Sequence, residues 1–242
     1  MKIFAIDTTT KTVSVAAVKF DERDYTILAE YNMNAGAPHS RTLLPAIKNV
    51  LTSISLLPKD LDVVAVSNGP GSFTGLRIGI AAVKGISGAA EILCAGVSSL
   101  TALAYNISFA QGVICPVMDA RRNQVYNALF TFEDTGNGIR KIKRHCADRA
   151  VSIAQLGKEL EKFNGDVNLV GDGAELVLAE LQDVLGDRLK LAPRSLLSAR
   201  AVSVAQAAFI EKCFIAGNEL IPNYLRQPQA VRELQESDSV RK

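Results

Sequence analysis

The sequence predicts an α/β fold made of two similar halves, each a mixed β-sheet flanked by helices. Three observations carry that expectation. The order strand-strand-strand-helix-strand-helix-strand occurs in both halves of the 242-residue chain. Asp7 and Asp119 each close an apolar strand and open a hairpin, and the spacings to Val13 and Ala16 recur at Val125 and Ala128. The stretch from Leu61 to Ala90 reads as a strand buried on both faces, a glycine turn and a helix. Hairpins force antiparallel neighbours, so each sheet is expected to be mixed.

Taken in order, Lys2–Asp7 and Val13–Phe20 read as strands around the polar turn Thr8-Thr9-Thr10-Lys11, followed by a strand at Thr26–Tyr31. Leu43, Leu44, Ile47, Val50, Leu51 and Ile54 recur at helical spacing, with Ser40 or Thr42 as candidate caps and Pro45 acceptable only near the start. In the helix after the glycine turn, Gly75, Gly79, Ala82, Gly85, Gly88 and Ala89 leave little side-chain bulk. An interior glycine costs a helix about 0.5–1 kcal/mol against alanine. Close packing has to offset that, either on the chain's own sheet or against a helix of another subunit. A strand at Ile92–Val97 and a helix capped by Ser98-Ser99 and running to about Ile107 complete the first half.

The second half restarts with strands at Val113–Asp119 and Gln124–Phe132 and a third at Gly138–Arg144. Ser152-x-x-Gln155 is a capping-box pattern opening a helix to Phe163. Val167–Val170 then ends at Gly171-Asp172-Gly173, and Glu175–Leu185 is helical. A long helix is expected from Ser198 to a cap at Gly217. The expected domains are residues 1–98, completed by the helix at 198–217, and residues 99–197. A flexible tail is expected at 226–242.

Apolar residues make up 48% of the chain and charged residues 21%, ordinary values for a globular protein. A net charge of +2 is too small to argue for nucleic-acid binding by bulk electrostatics. No apolar run is long enough for a transmembrane helix or a signal-peptide core. Cys94, Cys115, Cys146 and Cys213 are scattered without a C-x-x-C pair, which fits free thiols in a reducing cytoplasm. His39 and His145 are too few and too far apart for a zinc site. The glycine turn is no P-loop, since no lysine follows Gly75, and Thr74 breaks the dinucleotide pattern. Ser72 lies outside any G-x-S-x-G elbow and reads as a turn hydroxyl.

The run Gly-Pro-Gly-Ser-Phe-Thr-Gly-Leu-Arg-Ile-Gly at 69–79 resembles the signature of the TsaB (YeaZ) family, bacterial proteins of tRNA threonylcarbamoyladenosine (t6A) synthesis. Ile6-Asp7-Thr8, His39-Ser40 with Leu44-Pro45, Gly96–Leu100, Asp119–Tyr126 and Tyr224-Leu225-Arg226 resemble further segments of that family, in order. The resemblance implies two duplicated actin-like (ASKHA, ribonuclease H-like) domains. It implies a non-catalytic, cytoplasmic partner of TsaD, the subunit that transfers the threonylcarbamoyl group to adenosine 37. TsaE would be a second partner, the chain alone would form a homodimer, and tRNA would be met only through the complex. The paired metal-binding histidines of TsaD fall here on Ser99 and Leu103, so neither a metal nor a catalytic residue is expected. His39 reads as a capping or surface residue.

In the wider superfamily the strand-terminal aspartates flank ATP phosphates. Asp7 and Asp119, with Gly171 and Gly173 as the adenosine-side turn, are therefore the positions for weak ATP or ADP binding. Neither hairpin contains a glycine to wrap phosphate, so no firmly held cofactor is expected. The alternatives are an ATP-dependent phosphotransferase or hydrolase of the same fold and a metallopeptidase-like protein. The partner interface is expected on two helices, through Leu43, Leu44, Ile47 and Leu51 on one and Gly75, Ile78, Gly79 and Ala82 on the other.

Overall fold

The computed structural model describes residues 1–22, 24–34, 36–134 and 140–226. The expected tail beyond Arg226 and the first residues of the strand expected at 138–144 lie outside them. The first half contains β1 (Lys2–Asp7), β2 (Val13–Phe20), β3 (Tyr25–Met33), α1 (His39–Ser53), β4 (Val63–Gly69), α2 (Phe73–Ala90), β5 (Leu93–Ser98) and α3 (Ser99–Tyr105). Then follow β6 (Val113–Asp119), β7 (Gln124–Asn127), β8 (Phe130–Asp134), β9 (Arg140–Arg144), β10 (Arg149–Ser152), α4 (Ile153–Leu160), β11 (Val167–Val170) and α5 (Ala174–Leu185). The chain ends through β12 (Leu189–Leu191), α6 (Arg194–Leu197), α7 (Ala201–Glu211) and β13 (Phe214–Ile215).

Both sheets are mixed. The first runs β13-β5-β4-β1-β2-β3, with β1 parallel to β4 and antiparallel to β2. The second runs β10-β7-β6-β11-β12, with β6 parallel to β11 and antiparallel to β7; β8 also pairs with β6, and β9 pairs with β8. Strand alternation sorts the side chains into layers. Phe4, Ile6, Val13, Val15, Val64 and Val66 face α1 and α2. Ile3, Ala5, Ala16, Val18 and Ala65 face the opposite way, into a core shared with α3, α7 and Ile114, Phe130 and Val170 of the second sheet. Cys115, Val117, Val167 and Leu169 pack on α4 and α5. The middle layer therefore serves both sheets. Each of its fully buried leucines, such as Leu100 and Leu103, contributes about 1.5–3 kcal/mol by burial.

Three elements differ from expectation. The single strand expected at Gln124–Phe132 is two, because Pro116 gives β6 no N–H to continue one ladder. Asn127 fills the break, its Nδ2 donating to Pro116 O and Ala128 O, both at 3.0 Å. The helix expected to reach Gly217 stops at Glu211: Lys212 turns left-handed (φ 49°) and its N–H closes on Ala208 O. Phe214 and Ile215 then pair with Ala95 and Cys94, giving β5 a neighbour it would otherwise lack. Finally, α1 starts at His39 behind Pro38 with no side-chain cap, so neither Ser40 nor Thr42 caps it, and Pro45 lies inside the helix. Among the described residues no helix is long and apolar enough to cross a membrane.

Candidate functional site

Parallel strands offer ligands the crevice at their carboxyl ends. Here β1, β4 and β5 end at Asp7, Gly69 and Ser98, and β6 and β11 end at Asp119 and Val170. At the first end Asp7 is fully buried, and its Oδ1 accepts from Thr9 N at 2.9 Å and Thr9 Oγ1 at 2.8 Å. Oδ2 has no hydrogen-bond partner among the described residues. Burial pushes the Asp7 carboxyl above its ordinary range, opposed by the neighbouring Ser67 hydroxyl and by Thr9.

The glycine signature explains that burial, because it is shaped around the first hairpin. Ser72 N donates to Thr9 O at 2.8 Å, and Thr8 Oγ1 donates to Gly75 O at 2.7 Å. A Cβ on Gly75 would stand 1.9 Å from Thr8 O, one on Gly71 2.7 Å from Thr9, and one on Gly79 2.5 Å from Thr8 Oγ1. Ser72 is indeed a turn hydroxyl, accepting from Gly75 N at 3.3 Å to cap α2. His39 Nε2 donates to Thr10 O at 2.7 Å and ties α1 to the same hairpin.

At the second end the aspartate stays accessible. Asp119 Oδ1 accepts from Arg121 N at 2.7 Å, and Oδ2 pairs with the Arg121 guanidinium at 3.1 Å. Arg121, Arg122 and Asn123 are all left-handed (φ 65°, 56° and 56°), a backbone reached without the glycine that sequence reasoning required. Gly171 (φ 113°) and Gly173 let the next turn close on β6; their Cβ atoms would meet Val117 O at 2.1 Å and Asp119 N at 3.1 Å. That contact delivers Asp172, whose Oδ1 accepts from Asp119 N at 3.1 Å. Burial pushes the Asp172 carboxyl up; the Asp119 N–H opposes the shift and the Asp119 charge adds to it. A cavity of about 300 Å³ lies beside this turn, lined by Gly171, Asp172, Glu175, Arg194, Leu197 and Ser198. The structure thus gathers Asp119, Gly171 and Gly173, while Asp7 is sealed at the other sheet's strand end.

The helix face expected to meet a partner divides in two. Leu43, Ile47, Leu51, Gly75 and Gly79 are buried in the chain's own core and present nothing to another subunit. For Gly75 and Gly79 the cause of smallness is intramolecular, the close approach of Thr8. Leu44 is 64% exposed, and Ile78 and Ala82 are half-buried. Gly85 and Gly88 have open space where a Cβ would stand. Ser99 and Leu103 are fully buried in α3. Among the described residues no three His, Cys, Asp or Glu side chains gather as a metal site.

Sequence reasoning missed two features. Ser98 Oγ donates to Asp148 Oδ2 at 2.6 Å, and Asp148 pairs with Arg144, which donates to Thr101 Oγ1 at 2.6 Å, so β9 is tied to the start of α3. The segment Leu220–Arg226 returns across the glycine signature, where Tyr224 stacks on Phe73 with ring centroids 4.8 Å apart. The motif Tyr224-Leu225-Arg226 was its only trace in the sequence.

The family described as "TsaD: tRNA N6-adenosine threonylcarbamoyltransferase" matches residues 33–233. A Bacillus subtilis (strain 168) protein, tRNA threonylcarbamoyladenosine biosynthesis protein TsaB, is 32% identical over 232 residues, covering 95% of this chain and 96% of that one. The Haemophilus influenzae protein of the same name is 27% identical over 240 residues, covering 97% of each. The solved structure of YeaZ from Pseudomonas aeruginosa superposes with a TM-score of 0.70 at 23% identity, over 93% of this chain and 99% of the other. At that identity the structural likeness speaks for the fold.

Proposed function

The chain belongs to the TsaB (YeaZ) family of tRNA threonylcarbamoyladenosine biosynthesis proteins, and from that membership we propose that it is a non-catalytic partner subunit in t6A synthesis. It binds TsaD and holds it in a competent state, TsaE docks on that assembly, and tRNA is met only through the complex. The observation that carries the reading is the sealed first strand end. The Asp7 carboxyl is buried under a hairpin whose Thr8 and Thr9 are engaged by the signature loop, so it is closed off from a magnesium–nucleotide arriving from solvent. The setting is the cytoplasm, in keeping with tRNA as substrate of the complex.

We read the two sheets as duplicated actin-like domains. Support comes from the matching arrangement around β1 and β6: each ends in an aspartate, with an antiparallel hairpin partner on one side and a parallel strand on the other. The partner face is the exposed part of α1 and α2, namely Leu44, Ile78 and Ala82 continued along Gly85 and Gly88. The same face serves a homodimer when TsaD is absent. Weak ATP or ADP binding belongs to the second strand end, beside Asp119, Gly171 and Gly173. That accessible end also favours the rival reading, an ATP-dependent hydrolase or phosphotransferase.

Reconstitution tests the proposal. TsaD, TsaE, ATP, a threonylcarbamoyl donor and substrate tRNA should form t6A only when this chain is added, and Leu44→Asp with Ala82→Glu should abolish binding to TsaD without lowering the melting temperature. Formation of t6A without this chain, or by this chain without TsaD, would overturn it. ATP turnover by the isolated chain would favour the rival.

A further inference from the structure

We propose that Leu220–Arg226 is a strap that couples the two strand ends, so that neither the glycine signature nor the second hairpin opens while the strap is seated at both. It begins at Leu220, which is buried beside α2 and packs so closely over Gly96 that a Cβ there would be 2.8 Å from Leu220 Cδ1. It then runs alongside the end of β4: Asn223 N donates to Asn68 O at 2.7 Å, and Asn68 Nδ2 donates to Ile221 O at 3.3 Å. Gly69 is required for this contact, since its φ is 128° and a Cβ would stand 2.3 Å from Asn223 O. The first glycine of the signature therefore admits the strap, as Gly71 and Gly75 admit the first hairpin.

The side chains anchor it at two places on different sheets. On the first, Phe73 stacks on Tyr224 and lies 4.0 Å under the Arg77 guanidinium, whose Nε donates to Tyr224 Oη at 3.1 Å. On the second, Arg226 donates to Ala120 O at 2.8 Å and its guanidinium lies 5.7 Å from the Tyr126 ring. Ala120 directly follows Asp119, so the strap reaches the accessible aspartate's own hairpin. Beyond the buried Leu220 the strap is open to solvent, with Ile221 68% and Tyr224 37% exposed, so polar and ring contacts rather than burial hold it. A segment held by a few exposed contacts and little burial opens locally at low free energy. Loosening either anchor frees the other, and the glycine signature and the second hairpin lose their shared tie together.

Hydrogen exchange of the full chain tests the coupling, because each variant removes one anchor and is read at the far one. Arg226→Ala should speed exchange of amides in residues 68–72, on the first sheet, and Tyr224→Ala should speed exchange in residues 120–126, on the second. A rise of about tenfold at the remote site is expected, the loss of roughly one hydrogen bond's net worth. Amides in β1 and β6 serve as controls and should not change. Should Tyr224→Ala fail to fold, Tyr224→Phe removes only the Arg77 bond and is read the same way. Acceleration confined to each variant's own neighbours, or to residues 220–226 alone, would show a passive tail and overturn the proposal.

Discussion

The two strand ends are built from the same parts and finish differently. Each has an aspartate closing the central strand, a hairpin without glycine, and a nearby turn whose glycines allow close backbone approach. At Asp7 the glycines bring a helix start down on the hairpin, and the carboxylate is sealed away from solvent. At Asp119 the glycines bring up a second carboxylate, Asp172, and leave Asp119 paired with Arg121 at the surface. Tight glycine packing thus marks neither a ligand site nor its loss. What matters is whether the backbone it admits covers the carboxylate or stands beside it.

The largest effect should come from adding a methyl group at the sealed end. In Gly75→Ala the new Cβ would overlap Thr8 O at 1.9 Å, and both groups are backbone-fixed. The expected cost is at least about 3 kcal/mol, the upper end of overpacking penalties. Gly173→Ala meets Asp119 N at 3.1 Å, where a shift of a few tenths of an ångström suffices, and should cost about 1 kcal/mol. Denaturant midpoints of the two variants measure the contrast. Similar losses would mean that the first end is no more tightly closed than the second. Gly79→Leu also reports on the fold, because its Cβ points at Thr8.

Much of this was legible in the sequence, for reasons visible in particular residues. The continuous apolar run Ile3–Ile6 announced a strand buried on both faces, and the spacing of Leu43, Ile47 and Leu51 announced a helix, because burial on one helix face repeats with the helical period. Ser72, Ser98 and Ser152 cap the helices that follow them, as local chemistry dictates. What escaped depends on long-range contact. Gly75 and Gly85 look alike in a sequence, yet one faces Thr8 and the other open space. The left-handed run Arg121–Asn123 has no glycine to signal it, and Leu220–Arg226 carries no pattern that says it crosses back over residues 68–77.

A smaller effect separates the aspartates themselves. Because burial raises the Asp7 carboxyl, the folded protein keeps that proton over an interval above the ordinary carboxylate range in which the unfolded chain has lost it. Asp7 therefore favours folding less as pH rises through that interval, and its contribution is most favourable below it. Asp7→Asn keeps an oxygen acceptor for Thr9 and removes the titration. Its stability should rise relative to the parent as pH increases above about 4, the ordinary aspartate value. Urea midpoints measured as pH increases should diverge; parallel curves would mean that Asp7 is not desolvated. In reconstituted t6A synthesis, Asp7→Asn and Asp119→Asn should each cost less than about tenfold, roughly 1.4 kcal/mol of barrier. A hundredfold loss in a folded variant would make the crevice catalytic.

The smallest effect lies in the second hairpin and separates charge from backbone. Arg121 pairs with Asp119 at 3.1 Å, but its side chain is 79% exposed, and such pairs contribute little net stability. Its backbone is left-handed (φ 65°), a conformation that costs a residue with a Cβ about 1 kcal/mol relative to glycine. Arg121→Ala loses the ion pair and keeps the strained backbone, so its stability should lie within about 0.5 kcal/mol of the parent. Arg121→Gly loses the same ion pair but relieves the backbone, and the freer unfolded chain offsets part of that gain. It should therefore come out more stable than Arg121→Ala by a few tenths of a kcal/mol to about 1 kcal/mol. In the first hairpin none of Thr8, Thr9, Thr10 or Lys11 is left-handed, so Thr10→Gly should only destabilise relative to Thr10→Ala. Thermal melts of the four variants give the two differences, and opposite signs are expected. If Arg121→Gly were no better than Arg121→Ala, the two hairpins would share one backbone economy, and the contrast between the strand ends would rest on glycine packing alone.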